Sequence, residues 1–148
     1  MKKYIVIDID GTLSEVCEER LKYLEKKDWD TFYKLCYKDK PIGPIVDLVQ
    51  TLIDSKQYRI VFCTGRKDAV REETLQWLHK HLRGLEDFQL FMRRDRDWRH
   101  DKVVKPEILE KYRITPDVVA FILEDRTSMV ERWRELGYTC LQVADGDF

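Results

Sequence analysis

The stretch YIVIDIDGTL, which runs from Tyr4 to Leu13, decides how the rest of this sequence is interpreted. Its β-branched and aromatic residues predict a strand that enters a core, yet it carries Asp8 and Asp10. An uncompensated carboxylate in an apolar interior is costly, so acids at this place need a reason. Residues two apart in an extended chain point the same way, and both carboxylates can therefore face one site. Gly11 allows a sharp turn and the close approach of a ligand.

The acidic pair predicts a bound cation. Two carboxylates held close together resist joint ionisation unless a cation lies between them or one of them keeps a proton. We therefore expect a hard cation, Mg²⁺ above all, and two different chemical roles for Asp8 and Asp10. Asp-Gly is also ordinary turn chemistry. Two solvated turn acids are thus the alternative that this stretch alone leaves open.

The composition favours one compact domain in a reducing compartment. At 148 residues, of which 43% are hydrophobic, the chain is long enough to bury a core. Its 27 basic and 28 acidic side chains leave a net charge of -1, which gives no general attraction to nucleic acid or to an anionic membrane. The four cysteines form no CxxC pair, and no apolar run approaches the length of a signal peptide or a membrane span. We expect a soluble, cytoplasmic protein without a membrane contact.

Strand and helix patterns alternate along the chain. Helical periodicity covers Ile42–Leu52 and Ala69–Leu82, and Ser128–Leu136 has the same pattern up to the glycine that follows it. Apolar runs of the kind buried on both faces of a parallel sheet occur at Tyr4–Ile9, Arg59–Thr64, Phe88–Met92, Val118–Glu124 and Thr139–Val143. This alternation predicts a single α/β domain over residues 1–148, Rossmann-like, with a five-stranded, mostly parallel sheet flanked by helices.

The segment of residues 14–40 is too long for a simple crossover between strands. Its leucines and aromatic residues predict a helical insertion packed over the sheet. The sequence leaves open whether this insertion lines a pocket, as a minimal cap, or only covers the core.

Two further strand ends carry residues that suit a phosphate and a metal. In IVFCTGRK, Thr64 ends a strand and Gly65-Arg66 turns into a helix, where a hydroxyl, backbone N–H groups and a helix N-terminus can cradle a phosphate. In VVAFILEDRT, a second strongly apolar strand ends in Glu124 and Asp125. Ligands bind beyond the carboxyl ends of parallel strands. We therefore expect these side chains to form one site for Mg²⁺ and phosphate.

A lysine completes this set. In DKVVKPEILEKY we expect Lys105 to begin a helix just before Pro106. A lysine near a helix start interacts unfavourably with the helix dipole, which favours an anion facing Lys105. A solvated lysine is the alternative that this segment alone leaves open.

Four motifs in this order resemble those of the haloacid dehalogenase-like (HAD) phosphatase superfamily. They are IDIDGT, CTGR, the central lysine of DKVVKPEI, and LEDR, and together they span residues 7–126. The segments RHDKVVKPEI, LEDRTSMVERWRELG and QVADGDF are similar to the phosphatase domain of viral polynucleotide kinase–phosphatases, which removes a 3′-phosphate from DNA or RNA ends. No P-loop of the GxxxxGKS or GxxxxGKT type occurs, so a kinase half is not expected in this sequence.

The resemblance implies a role for each matching acid. Asp8 would be the nucleophile that forms an aspartyl-phosphate, and Asp10 would protonate the leaving oxygen and then deprotonate the hydrolytic water. Mg²⁺ would be held by Asp8, the backbone carbonyl of Asp10, and Asp125. The acidic pair here is Glu-Asp where the superfamily has Asp-Asp. The choice between Glu124 and Asp125 as the direct metal ligand therefore stays open.

The resemblance also implies which residues contact the substrate. Thr64 and Lys105 would bind the phosphoryl oxygens, and Lys105 would offset charge in the transition state. The other substrate-binding candidates are Gly65, Arg66, Asp101 and Arg126.

An open site would suit a polymer end better than a small metabolite. Residues 66–105 hold one helix, one strand and a short loop, so no large cap is expected. The loop MRRDRDWRHDK, residues 92–102, interleaves basic side chains with Trp98 and could grip a backbone phosphate and stack a base. Its acids could equally leave it a solvated loop. We predict a Mg²⁺-dependent phosphatase for the 3′-phosphate ends of DNA or RNA.

Other functions stay open from the sequence. A small-molecule phosphatase or nucleotidase would use the same chemistry, and a non-catalytic binding module would keep the fold without the reaction. A phospho-accepting receiver domain fits poorly, because receivers carry the acidic pair on the first strand and a lone Asp after a middle strand. A separate kinase or ligase partner and a homo-oligomer are both compatible with the sequence, which does not decide between DNA and RNA.

Overall fold

A parallel sheet forms the centre of the molecule. The computed structural model describes residues 1–148. Its strands are β1 Tyr4–Ile7, β2 Ser14–Glu15, β3 Lys40–Pro41, β4 Arg59–Lys67, β5 Gln89–Arg93, β6 Val119–Glu124 and β7 Cys140–Gln142. Five of them form one sheet of order β5-β4-β1-β6-β7, in which every neighbouring pair is parallel. The predicted α/β class and five-stranded parallel sheet are confirmed.

Helices cover both faces of this sheet. They are α1 Glu18–Glu25, α2 Trp29–Lys34, α3 Gly43–Ser55, α4 Arg71–His81, α5 Asp101–Lys111 and α6 Thr127–Glu135, with 3-10 turns at Leu35–Lys38, Asp68–Val70 and Pro116–Val118. Only α4 and a 3-10 turn separate β4 from β5, so no large cap lies there. None of the helices combines the length and the apolar character needed to cross a membrane.

The apolar runs of the strands follow from burial on both sides. Ile5 and Ile7 of β1 pack into one core cluster, together with Val49 of α3. Val6, which points to the opposite face, packs into a second cluster with Trp133 of α6. Because both faces are covered, the strand shows a continuous apolar run rather than an alternation.

Two differences from the predicted element boundaries affect the candidate site. The prediction that Lys105 begins a helix is wrong, because α5 begins at Asp101 and Lys105 lies inside it. The side chain of His100 accepts a hydrogen bond from Lys102 N at 3.1 Å and caps the helix there, so Pro106 is an interior residue and not a start signal. Strand β4 continues to Lys67, beyond the predicted end, with a register shift before that residue.

Residues 14–41 form a small unit beside the carboxyl ends of the strands. Strands β2 and β3 pair antiparallel, with Ser14 opposite Pro41, and so close the two ends of the segment against each other. Helices α1 and α2 lie between them. Cys36, in the 3-10 turn that follows α2, is fully buried in the same core cluster as Ile5 and Ile7, which attaches the unit to the rest of the domain.

Candidate active site

Three carboxylates meet where β1 and β6 end. The two strands pair in parallel with Ile7 opposite Leu123, so the next residues, Asp8 and Glu124, leave the sheet side by side. Carboxylate oxygens of Asp8, Glu124 and Asp125 all lie within 4.8 Å of one another. Each of the three residues is at most 6% exposed. The strand ends therefore bring together three of the four acids that the sequence predicted to share a site, and Asp10 lies outside this cluster.

Lys105 neutralises part of this cluster. Its Nζ donates to Asp8 Oδ1 at 2.8 Å and to Glu124 Oε2 at 3.0 Å. Burial by itself would lower the pKa of Lys105, but the charges of Asp8 and Glu124 outweigh it and raise the pKa well above its usual value. Lys105 is therefore a permanent positive charge at the nucleophile candidate.

The turn after β1 fits closely around Asp125. Thr12 Oγ1 lies 3.0 Å from Asp8 Oδ2 and 3.3 Å from Asp125 Oδ1, so one hydroxyl links both acids. Gly11 has a φ of +84°, and a Cβ at this position would lie 2.1 Å from Asp125 Oδ2. Only glycine leaves the room that Asp125 occupies.

The cluster carries more negative charge than Lys105 can balance. Three carboxylates against one ammonium leave two negative charges when all are ionised. Burial and then the charge of Asp8 accordingly raise the pKa of Asp125 to about 7, and the same two causes raise the pKa of Glu124 well above its usual value. A divalent cation would remove this excess.

The donor set fits Mg²⁺. Mg²⁺ prefers carboxylate oxygens at about 2.1 Å, so two of its ligand atoms lie at most roughly 4.2 Å apart. The carboxylate oxygens here all lie within 4.8 Å of one another, so binding an ion needs little contraction. Both oxygens of Glu124 have partners already, Lys105 Nζ and the backbone N of Asp125. For Asp125, the hydrogen bond from Thr12 reaches only Oδ1. Asp125 is therefore more available than Glu124 as a metal ligand.

Asp10 lies in a different electrostatic environment. Arg66 donates to it from Nε at 3.1 Å and from a terminal nitrogen at 2.7 Å, and Arg20 donates at 3.1 Å. Burial by itself would raise the pKa of Asp10, but the charges of Arg66 and then Arg20 outweigh it and hold the pKa well below its usual range. Asp10 is thus ionised in the free protein, with about a quarter of its side chain (26%) exposed.

Asp10 belongs to a layer of charged side chains that it forms with Arg20, Arg66 and Asp39. Both arginines also contact the carboxylate of Asp39, and the side chains of Arg20 and Asp39 are fully buried. Sequence reasoning missed Arg20 and Asp39. Their available signal was weak: Arg20 lies three and four residues before Tyr23 and Leu24, which places a charge on the apolar side of α1.

Thr64 and Gly65 lie beside this layer. Thr64 is buried, and its Oγ1 accepts a hydrogen bond from the backbone N of Arg66 at 3.2 Å. A Cβ at Gly65 would lie 2.5 Å from Asp101 Oδ1, so Gly65 allows Asp101 to approach β4. Asp101 also pairs with Arg93, and Arg126 lies 3.8 Å from its other oxygen.

Comparison with known proteins identifies the family. The model of the phosphatase domain of polynucleotide kinase PNKP, a HAD family, matches residues 2–148. The chain belongs to this family. A protein named as a bifunctional polynucleotide kinase/RNA ligase from Autographa californica nuclear polyhedrosis virus is 23% identical over 132 residues, which are 89% of this chain and 18% of that protein.

Solved structures agree with this assignment. A chain in the structure of the Pnkp1/Rnl/Hen1 RNA repair complex is 29% identical with a TM-score of 0.81, and the match covers 100% of this PNKP phosphatase domain and 44% of that chain. A HAD family enzyme from Bacteroides thetaiotaomicron, in complex with magnesium and inorganic phosphate, matches over 100% of this chain and 97% of its own at 13% identity and a TM-score of 0.57, which shows the shared fold. The present chain spans less than half the length of the first two relatives.

In this PNKP phosphatase domain the predicted site residues fall into three groups. The first group is the cluster of Asp8, Glu124 and Asp125 together with Lys105, which contacts Asp8 and Glu124 directly. Asp10 and Arg66 form the second group, and Thr64 contacts it through the backbone of Arg66. The third group consists of Gly65, Asp101 and Arg126. Arg66 contacts Asp10 in the structure. A role of Arg66 in substrate binding stays a prediction.

Proposed function

We propose that this phosphatase domain removes the terminal 3′-phosphate from DNA or RNA ends in a Mg²⁺-dependent reaction through an aspartyl-phosphate. The observation that carries this proposal is the buried cluster of Asp8, Glu124 and Asp125 around Lys105, in a chain of the PNKP phosphatase family. Such a cluster combines a nucleophile, a cation site and a fixed positive charge for a phosphoryl group.

Asp8 performs the first step. One of its carboxylate oxygens attacks phosphorus, an O–P bond forms, and the bond from phosphorus to the 3′-oxygen breaks. Lys105 Nζ, 2.8 Å from Asp8, is placed to offset charge on the phosphoryl oxygens as it develops. The hydroxyl of Thr64 accepts from Arg66 N, so its own proton is free to bind another phosphoryl oxygen. Mg²⁺ bound by Asp8, Asp125 and the backbone carbonyl of Asp10 would supply further charge neutralisation.

Asp10 moves the protons. The 3′-oxygen leaves with a proton from Asp10, and in the second step Asp10 takes a proton from the water that attacks the aspartyl-phosphate. Arg20 and Arg66 keep Asp10 ionised in the free protein, which suits the second step. An anionic phosphate bound next to Asp10 raises the pKa of this carboxyl, because a like charge disfavours ionisation. Asp10 then acquires its proton in the complex.

The rest of the chain has a place in this proposal. Residues 1–148 act as one phosphatase domain, and the unit of residues 14–41 acts as a minimal cap that supplies Arg20 and Asp39 to the site. The names of the relatives associate kinase, ligase and repair-complex functions with proteins that are longer than this chain. We propose that such activities act on the same ends in sequence with this phosphatase.

The test is phosphate release from a 3′-phosphorylated oligonucleotide with and without Mg²⁺. We expect release from the unaltered protein with Mg²⁺, none from Asp8→Asn, and unaltered release from Asp47→Asn, an exposed acid of α3. Near-native turnover of Asp8→Asn would refute the nucleophile assignment. Faster hydrolysis of nucleoside monophosphates than of oligonucleotides would favour a nucleotidase instead.

The proton role of Asp10 has its own test. We expect Asp10→Asn to lose more activity on the oligonucleotide than on p-nitrophenyl phosphate, because a good leaving group needs little protonation. Equal losses on both substrates would contradict an acid role for Asp10.

A further inference from the structure

A buried lysine faces a cleft next to the active site. Lys67, at the end of β4, follows Gly65 by two residues, and its side chain is only 7% exposed. Its Nζ lies 3.5 Å from the ring centroid of Trp98 and 6.0 Å from that of Tyr33. The cleft has a volume of about 210 Å³, and all three residues line it.

The one anionic partner of Lys67 is distant and exposed to solvent. The nearest carboxylate oxygen belongs to Asp30 and lies 3.7 Å away, beyond hydrogen-bonding distance, on a side chain that is 82% exposed. A buried charge is costly unless it is paired and hydrogen-bonded. The neighbouring arginines already have close anionic partners. Arg93 pairs with Asp101, and Arg99 pairs with Asp97 and Glu107.

The cleft borders residues at the edge of the candidate phosphatase site. The hydroxyl of Tyr33 donates to the carbonyl of Gly65 at 3.4 Å, and Asp101 and Arg126 line the cleft as well. Its volume is below the roughly 300 Å³ at which ordinary small-molecule pockets begin. A cleft of this size has room for one phosphate or one base. Trp98 is 65% exposed, with Lys67 lying over its ring.

We propose that Lys67 binds an internal phosphodiester of the substrate strand while the terminal 3′-phosphate lies at Asp8. This inference rests on the proposed function and names what makes the enzyme prefer a polymer end. A nucleoside 3′-monophosphate has no internal phosphate and cannot use Lys67. Trp98 holds the ammonium in place by a cation–π contact and offers its exposed ring surface to a base.

The experiment compares kcat/KM on three substrates: p-nitrophenyl phosphate, a nucleoside 3′-monophosphate and a 3′-phosphorylated single-stranded oligonucleotide. We expect Lys67→Met to lower the value for the oligonucleotide by roughly 10- to 100-fold, the range of a hydrogen bond to a charged group. Both small substrates should change less than about twofold, since the contact is worth nothing without an internal phosphate. Lys80→Met, an exposed lysine of α4, is the matched control and should leave all three values unchanged.

A substrate change tests the same contact in the unaltered protein, where folding of a variant is not an issue. A neutral methylphosphonate replaces, one at a time, each of the internal linkages nearest the 3′ end. One of these replacements should reproduce the loss seen with Lys67→Met and cause no further loss in that variant.

Two results would overturn the subsite. The first is that Lys67→Met lowers kcat/KM equally for the nucleoside 3′-monophosphate and for the oligonucleotide. The second is that the unaltered protein keeps full activity on every methylphosphonate substrate. Failure of the proposed function gives a different result. The unaltered protein would then hydrolyse p-nitrophenyl phosphate but release no phosphate from any 3′-phosphorylated nucleic acid, and the subsite would be refuted with it.

Discussion

Replacement of Gly11 by alanine tests whether the turn after β1 sets the position of Asp125. The φ of +84° at Gly11 is a conformation that L side chains rarely adopt, and the added Cβ would lie 2.1 Å from Asp125 Oδ2. Moving that oxygen from 2.1 Å to ordinary contact at 3.4 Å requires a shift of about 1.3 Å. A misplacement of about 1 Å at a catalytic centre can cost ~100-fold in rate. We therefore expect Gly11→Ala to lose at least that much activity.

The matched control is Gly84→Ala. Gly84 also has a positive φ, +67°, but a Cβ there would meet nothing within 4 Å. The left-handed conformation costs an L residue about 1–2 kcal/mol. Gly84→Ala should lose about this much free energy of unfolding, and Gly11→Ala should lose more, because its Cβ also displaces Asp125. Only Gly11→Ala should lose activity, because only its Cβ reaches a carboxylate of the cluster.

Three measurements separate the two effects. Urea unfolding gives the stability of each variant, phosphate release from a 3′-phosphorylated oligonucleotide gives the activity, and calorimetric titration gives the affinity for Mg²⁺. Gly11→Ala should bind Mg²⁺ more weakly than Gly84→Ala. The reasoning is refuted if Gly11→Ala matches Gly84→Ala in both activity and Mg²⁺ affinity.

The remaining predictions concern the charges of the site. Arg20→Met should lower the free energy of unfolding by about 3–5 kcal/mol, because it leaves Asp39 buried beside one arginine instead of two. Arg132→Met, which breaks an exposed pair, should cost at most about 1 kcal/mol by the same urea titration. Since the pKa of Asp125 is raised from 3.8 to about 7, the folded metal-free protein holds a proton that the unfolded chain releases, and its stability should fall as the pH rises through this range. Mg²⁺ competes with that proton, so the rise in Tm on adding Mg²⁺ should be larger near pH 8 than near pH 5, and an equal rise at both would contradict the assignment.

The strand ends could be predicted from the sequence because burial leaves a strong local signal. A strand covered on both faces is a continuous apolar run, and an acid that ends such a run is conspicuous. This holds for Asp8 after β1 and for Glu124 and Asp125 at the end of β6. Parallel pairing of adjacent strands then places their ends at one edge without further information.

The start of α5 could not be predicted in the same way. Proline is favoured in the first turn of a helix, and this preference placed the start near Pro106. The actual start depends on the His100 cap, a contact between a side chain and the backbone of Lys102 that no periodic pattern reveals. The consequence is favourable for the site, since Lys105 in the second turn is buried and its Nζ reaches Asp8.

Arg20 and Asp39 were missed for a different reason. Each is a single charged residue among many in a segment that is rich in charge, and only tertiary contacts distinguish it from a solvated one. Strands β2 and β3 are two residues long each, too short for any periodicity, yet their pairing returns the chain so that Arg20 and Asp39 meet. The information that positions these residues is distributed over the whole unit of residues 14–41.

Asp8 and Asp10 belong to one motif but have different electrostatic environments, because residues from distant parts of the chain surround them. Asp8 shares one lysine with Glu124 and lies where negative charge is in excess, whereas Asp10 is held by two arginines in a layer whose charges balance. The DxDGT stretch itself supplies neither environment. Lys105 comes from α5, Arg66 comes from β4, and Arg20 comes from the unit of residues 14–41. Removal of that unit would therefore take away one of the two arginines that hold Asp10, the proposed proton-transfer group, and would not merely uncover the site.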